Sequence, residues 1–435
     1  MRALLFPSIV AIFVLAFAPG ALAWKTKFSS KLGLNTTYYP VDLEQGTSQW
    51  ATPVRLEPEV SFKKSKAFKI TIAPYLYSDP SSMSPGEKAI VDFNEANIES
   101  KMGDFNLKIG FNSVSWGATD VFNPLDVVAS RRYMDPLNGE KRGVPSVILG
   151  YDGGASRFEA IYVPVQQDAF LPGENSRWLP RDITVNRSND FAQVDLPANL
   201  RYSYLPKEEI ENAQRDGFGA RYEHSGEGMD FSAIFYQGAA TTPAIFPEIS
   251  GTITSLDPLL IQLDPEVKLR PVYYKRRTAG ASAVVTLEST IFRLAGAASE
   301  QLHARSNLPG SAQYGVLGVE HNLAVGASTL TVLLQGTIAA HEDQADNQVS
   351  SLERIFDRSW LLGFRLATSS EWTVTLAALY DTVWEGLFTQ FKAERKITDG
   401  LTATIGADIV EGKPGTPLGT YRKNDRVTFG LTLFF

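Results

Sequence analysis

The last ten residues, RVTFGLTLFF (426–435), place Val427, Phe429, Leu431, Leu433 and Phe435 on one face and Arg426, Thr428, Gly430 and Thr432 on the other. A period of two marks a β-strand with one apolar and one polar side. Chain ends normally collect solvated residues. A terminal strand this apolar is therefore expected to be covered by something other than water.

The same alternation recurs upstream. Leu401, Ala403, Ile405, Ala407 and Ile409 oppose Thr402, Thr404, Gly406 and Asp408; Leu330, Val332, Leu334, Gly336 and Ile338 oppose Thr331, Gln335 and Thr337; Trp360, Leu362, Phe364 and Leu366 oppose Asp357, Ser359 and Arg365. Such segments run from 31–40 to 425–435, about eighteen in all, with sixteen as the alternative because 88–101 (VDFNEANIES and its flanks) alternates weakly. A soluble sandwich also alternates, so the connections decide. They switch between short turns (KSK, MGD, DGGA, SGEG, TSSE, TDG) and long stretches such as 116–144, 165–216 and 239–271. That predicts an all-β fold, a single antiparallel transmembrane β-barrel with short periplasmic turns and long extracellular loops. In hydrocarbon an unpaired backbone group costs several kcal/mol, so the sheet must close. The last strand is expected to pair with the first, near KLGLNTTYY (31–39). Tyr38, Tyr75, Tyr273, Trp360, Trp372 and Trp384 are candidates for interfacial girdles.

The N-terminus, MRALLFPSIVAIFVLAFAPGALAW, has a positive start at Arg2, an apolar run from Leu4 to Phe17 and an Ala21-Leu22-Ala23 exit. This reads as a cleaved signal peptide, 1–23, leaving the barrel as one domain, 24–435. No later apolar run reaches the ~18 residues a spanning helix needs. The bacterial outer membrane is the expected location. Arg2 is the only charged residue of 1–23, so the remaining chain carries 40 basic and 48 acidic side chains, a net charge of about −8. Nucleic acid is disfavoured as a partner by that balance. There is no cysteine, which excludes disulfides, thiolate chemistry and a lipidated N-terminal cysteine.

The wet faces name the expected lumen: Lys69, Lys108, Arg221, Arg276, Arg293, Arg365 and Arg426 with Glu320, Asp381 and Asp408. Arginines on an inner wall favour anions through the field of charged rings, unless the carboxylates satisfy them. In KLRPVYYKRR (268–277), Arg276 is expected to face inward, and Lys275 and Arg277 outward, toward lipopolysaccharide phosphates. Asn123-Pro124-Leu125-Asp126 is good turn chemistry, since proline fixes φ and Asn or Asp side chains bond nearby amides. A loop tied down there can fold into the mouth as a constriction lined by Asp120, Asn123, Asp126, Arg131 and Arg132, with Trp116 anchoring it. Two further loops are expected to carry a short helix at PKEEIENAQRDG (206–217) and an apolar surface, 239–271, packed into the mouth or on a neighbour.

The stretch VSWGATDVFNPLDVVASRRYMDPLNGEKRGVPSVILGYDGGASRFEAIYVPV resembles a group of porin-like outer-membrane barrels related to the alginate-export type. The matching residues are Trp116, Gly117, Asn123, Pro124, Asp126, Pro145, Tyr162 and Pro164, with echoes in GMDFSAIFYQG, YYKRRTAGASA and GTYRKNDRVTFGLTLFF. The resemblance implies a barrel over roughly 105–435 and, as specific roles, export of an anionic polymer or uptake of a small organic compound. The chain ending on Phe435 also resembles the recognition strand of outer-membrane proteins, which implies the barrel-assembly machinery as a partner.

The motifs point away from catalysis. G-x-S-x-G, H-E-x-x-H and G-x-x-x-x-G-K-[ST] are all missing from the sequence, and His224, His303, His321 and His341 have no metal spacing. No enzyme, cofactor or metal site is expected; the acidic loop HEDQADNQ (341–348) lacks the EF-hand pattern. Two functions remain: a passive channel for small polar or anionic solutes or an exported anionic polymer, or a non-conducting barrel serving as anchor, adhesin or partner-binding component. Oligomeric state is not readable from the sequence.

Overall fold

In the computed structural model the alternating segments form one closed antiparallel barrel. The structure describes residues 24–43, 47–180, 192–195, 200–257, 259–303, 308–341 and 352–435. The signal segment 1–23 and the acidic loop after His341 lie outside the described residues.

The first six staves are β1 (Lys25–Tyr38), β2 (Val54–Ser65), β3 (Phe68–Ser78), β4 (Ile90–Met102), β5 (Phe105–Asn112) and β6 (Val144–Gly153). Six more follow as β7 (Ser156–Val165), β8 (Arg215–Gly226), β9 (Met229–Ala239), β10 (Lys275–Leu287), β11 (Thr290–Gln301) and β12 (Ala312–Val325). The last six are β13 (Ser328–His341), β14 (Arg358–Ala367), β15 (Trp372–Asp381), β16 (Gly386–Thr398), β17 (Leu401–Glu411) and β18 (Arg426–Phe434). The barrel closes where β18 meets β1, with Lys31 opposite Phe434 and Tyr38 opposite Val427. Ser30 and Phe435 add a pair of backbone hydrogen bonds, at 2.6 and 3.1 Å. No edge is left along that seam, and Phe429, Leu431 and Leu433 stand on the outer surface with Phe435.

The count is eighteen rather than sixteen because 90–102 is a full strand. Its weak alternation has a cause. Pro74 pairs with Phe93 while Ala73 pairs with Glu95, so Asn94 is an extra residue, a β-bulge. A bulge reverses the facing of everything beyond it, which turns Asp92 inward on one side of it and Asn97 and Glu99 inward on the other.

Two loop expectations are corrected. PKEEIENAQRDG forms no helix beyond a single 3-10 turn at Ile210–Asn212, because Glu211, Asn212 and Asp216 take left-handed φ values of 48°, 54° and 55°. The apolar stretch 239–271 is a hairpin, Ala244–Leu256 with Leu259–Tyr273. Its second strand also pairs in parallel with Ala192–Asp195, Arg201–Tyr204 and Glu208–Glu209. Five strands from two loops, two long and three short, thus build a second sheet at the long-loop end. Among the girdle candidates, Trp360 and Trp372 are exposed on the outside, whereas Tyr75 and Tyr273 are buried within. Arg132 lies 3.8 Å over the Tyr75 ring, and the Tyr273 hydroxyl accepts from the Ala169 amide at 2.9 Å.

Candidate functional site

The loop between β5 and β6, residues 113–143, does not stay at the rim. It starts at Gly117, whose φ of 83° lies in the left-handed region, and a Cβ there would sit 2.3 Å from Asn123 Oδ1. Asn123 closes the turn from both ends: its Nδ2 donates to the Trp116 carbonyl at 2.7 Å and its Oδ1 accepts from the Leu125 amide at 3.1 Å. This compact turn drives Leu125 against the inner wall, where Gly280 makes room; a Cβ on Gly280 would come within 2.5 Å of Leu125. Trp116, Leu125 and Val128 join wall residues Ile148, Ile161, Val163 and Tyr236 in a fully buried cluster. Trp116 Nε1 donates to Glu159 of β7 at 3.0 Å. The apolar half of the loop is thereby cemented to one side of the barrel.

Its charged half reaches the other sides. Asp120 meets Arg293 of β11 at 3.3 Å, and Arg293 also holds Glu320 of β12 at 3.2 Å. Asp135 meets Arg426 of β18 at 2.6 Å, and Arg426 also holds Asp408 of β17 at 2.6 Å. Glu140 pairs with Arg55 of β2. Arg132 and Arg142 converge on Asp92 of β4 at 2.7 and 2.8 Å, all three side chains being buried. Asp126 stays within the loop, bonded to Arg131 at 2.6 Å and Lys141 at 2.9 Å. A segment tied to β2, β4, β7, β11 and β18 spans the lumen.

Among the described residues, cavities border it on more than one side. One, about 440 Å³, has an apolar wall that includes Phe122, Tyr314, Phe356, Leu379 and Phe388, with Asp126, Arg131, Arg276 and Thr278 among its polar groups. The Phe122 and Phe356 rings stack there at 4.5 Å. Another, about 430 Å³, is lined by charged groups including Lys31, Arg55, Arg132, Glu140, Asp408 and Arg426. Arg177 and Trp178 from the loop between β7 and β8 border this second space. Arg177 donates to Asn424 Oδ1 at 2.8 Å and to the carbonyls of Ser48, Val41 and Lys423, with Tyr39 stacked at 3.8 Å. It knots three long-end loops together on neutral acceptors. Burial pushes its guanidinium down to about 10, still charged at neutral pH.

The residues expected in the pore fall into three groups. Asp120, Asn123, Asp126, Arg131 and Arg132 do enter the lumen on the loop. Arg221, Arg293 and Asp408 face inward but are paired, Arg221 with Glu159 at 3.2 Å and Glu223 at 2.9 Å. Arg276 borders the apolar cavity, Arg365 lies within electrostatic reach of Asp120, and Lys108 faces inward toward the short-turn end. Asp381, expected in the lumen, is instead taken up by a local turn, and Trp116 packs the loop against the wall. Trp116 is only 1% exposed, and Asp381, at 0%, caps the turn after β15 by accepting from the Val383 and Trp384 amides at 2.9 and 3.3 Å. A spacing of two and three residues makes that cap a local contact, made through Oδ1 alone. On the outer face Arg277 pairs with Glu300 at 2.9 Å.

Asp92, which organises the loop, escaped the sequence reading. The bulge at Asn94 hid its facing; the one available signal was that Arg132 and Arg142 both needed a buried counter-charge.

The four histidines sit apart. His224 contacts Ser156 at 3.0 Å, His321 Thr290 at 2.7 Å, His303 Glu211 at 3.0 Å and His341 Asp357 at 2.7 Å. Asp120 has its pKa raised, by burial first and then by Glu320, with Arg293 opposing. A carboxyl with a raised folded pKa favours the fold while protonated and loses that contribution as pH rises. Asp120→Asn is therefore expected to gain stability relative to the parent as pH climbs through and above the ordinary carboxylate range, and to match it at lower pH. Urea midpoints across that range check the sign.

No protein-family model and no curated protein matches the chain. Solved structures do. The chain is similar to OccK2 (OpdF) of Pseudomonas aeruginosa, determined in complex with glucuronate, at 8% identity over 94% of this chain and 98% of that one, with a TM-score of 0.51. It is also similar to Wzi of Escherichia coli, a carbohydrate-binding β-barrel involved in group 1 capsule assembly, at 9% identity over 95% of this chain and 85% of that one, TM-score 0.50. At these identities the likeness is one of fold: the chain shares the barrel of bacterial outer-membrane proteins. A link to the alginate-export type has no counterpart in these matches.

Proposed function

We propose that the protein is a passive outer-membrane channel, with its short turns in the periplasm and its long loops outside, passing small polar or anionic solutes around the 113–143 constriction. The observation that carries this reading is the loop itself. It is fastened to five staves, and cavities of about 440 and 430 Å³ flank it. A wall of 18 strands is wide enough for an aqueous lumen, and a fixed obstruction across such a lumen selects by size and charge. The two cavities offer unlike surfaces, one aromatic with a few polar groups and one charged, so solutes with both an apolar body and an ionised group suit the first. No chemistry is assigned to the chain.

Planar-bilayer recording of the purified chain tests this directly. Stepwise openings are expected. An electrically silent yet folded barrel would instead support a second reading, an anchor that presents its loops to a partner. The observation favouring that reading is the second sheet, which leaves Ile249, Ile253 and Leu256 exposed beyond the barrel.

A further inference from the structure

The inner face of the short-turn end carries a row of lysines that its own strands do not neutralise. Facing is fixed by neighbours further up each strand. On β1, Lys31 pairs with Glu57 and lines the charged cavity; on β2, Arg55 reaches the lumen loop; on β3, Tyr75 lies under Arg132. Alternation along these strands puts Lys25 and Lys27, Lys63, and Lys69 on the same lumen side, while Phe28, Phe62, Phe68 and Ile70 take the lipid side.

The register then aligns them. Lys25 stands directly opposite Lys63, and Lys63 directly opposite Lys69. Residues so paired have Cβ atoms about 5 Å apart, and like charges placed this way destabilise a sheet. Among the described residues none of the three has an ion pair. The carboxylate next in the row, Glu99, is opposite Lys69 but forms its ion pair with Lys101, at 3.8 Å, and the residue beyond it is again basic, Lys108. Glu59 lies four residues along β2 from Lys63. Four of the five positions in this row are lysines, in a chain whose acids outnumber its bases.

Lysines on a sheet edge commonly serve to block unwanted strand addition. That explains Lys25 and Lys27, because β1 below Ser30 has run past the end of β18. It does not explain Lys63 and Lys69, which lie on interior staves. The apolar lipid side of the same stretch also argues against a membrane headgroup as the partner.

We propose that Lys25, Lys63 and Lys69 form a binding site for a soluble, multiply charged oxyanion at the short-turn mouth of the lumen. Three ammonium groups spaced by the strand repeat match a ligand whose anionic oxygens are strung at similar intervals, such as a chain of phosphates. A mouth site of this kind raises the local concentration of polyanions, as one-signed clefts do. Its role in transport rests on the channel reading, but the binding itself does not, so the test reads binding.

Calorimetric titration of the detergent-folded chain with sodium tripolyphosphate is expected to show one saturable site per barrel, weakened by added salt. An ammonium–oxyanion contact in a water-like dielectric changes affinity about fivefold, so the triple variant Lys25→Gln/Lys63→Gln/Lys69→Gln is expected to bind on the order of 100-fold more weakly. Lys64→Gln/Lys66→Gln/Arg395→Gln removes the same charge from the same end outside the row and is expected to change affinity less than about threefold. Substitution of the row by arginine should retain binding. Equal weakening in both glutamine variants would reduce the site to diffuse electrostatics and overturn the proposal, as would displacement of tripolyphosphate by anionic phospholipid added to the micelles. Failure of the channel reading shows up separately, as a silent bilayer with tripolyphosphate binding intact.

Discussion

Replacing residues 113–143 with a four-residue glycine-serine turn is expected to raise single-channel conductance severalfold while the barrel still folds. The estimate follows from barrel geometry. Eighteen strands spaced about 4.8 Å apart and tilted about 40° enclose a wall of roughly 18 Å radius, leaving about 12 Å once side chains are subtracted. A bare lumen of that width dwarfs either cavity beside the loop. Folding should survive because β5 and β6 pair with each other from Phe105–Tyr151 to Asn112–Val144 without help from the loop. A heat-modifiable band on a gel confirms the folded state independently of current. Conductance unchanged in such a folded variant would remove the loop from its role as constriction.

Asp92→Ala is the point change with the greatest expected cost. The carboxylate is shared by two buried guanidiniums: Arg142 donates to both of its oxygens, and Arg132 to one, through Nε at 2.9 Å. Removing one partner of a buried ion pair strands the remaining charge, at about 3–5 kcal/mol. Here two charges are stranded, and both belong to the lumen loop. Urea unfolding in lipid vesicles is expected to report a loss in that range, and limited proteolysis to cleave within 113–143 while the staves stay protected. Combining Asp92→Ala with Arg132→Met and Arg142→Met should recover much of the loss, since no uncompensated charge remains. A single variant as stable and as protease-resistant as the parent would show that the loop is held by its apolar half alone.

The sequence carried the barrel further than the site. Strict alternation in segments such as 401–409 and 426–434, and the switching of short turns with long loops, gave strand number and closure because a lipid-facing wall admits no other arrangement of backbone hydrogen bonds. The segment 90–102 stayed ambiguous because one bulged residue splits its alternation into two phases. Loop structure was legible only where the chemistry is local. Asn123-Pro124 announced its turn through contacts two to seven residues away, whereas the hairpin Ala244–Tyr273 depends on partners in another loop. The pore residues divide the same way. Alternation told which side chains face inward, but not which of them already have partners.

What the sequence determined by itself is therefore the wall: period-two patterning fixes the inner and outer face of each stave, and the hydrocarbon's intolerance of unpaired amides joins the last to the first. What only the tertiary structure decided is the lumen. Whether Arg132 meets water or Asp92, and whether Lys63 finds a carboxylate or two more lysines, depends on strand register and on where one loop crosses. Those are contacts between residues far apart in the chain, and no local pattern encodes them.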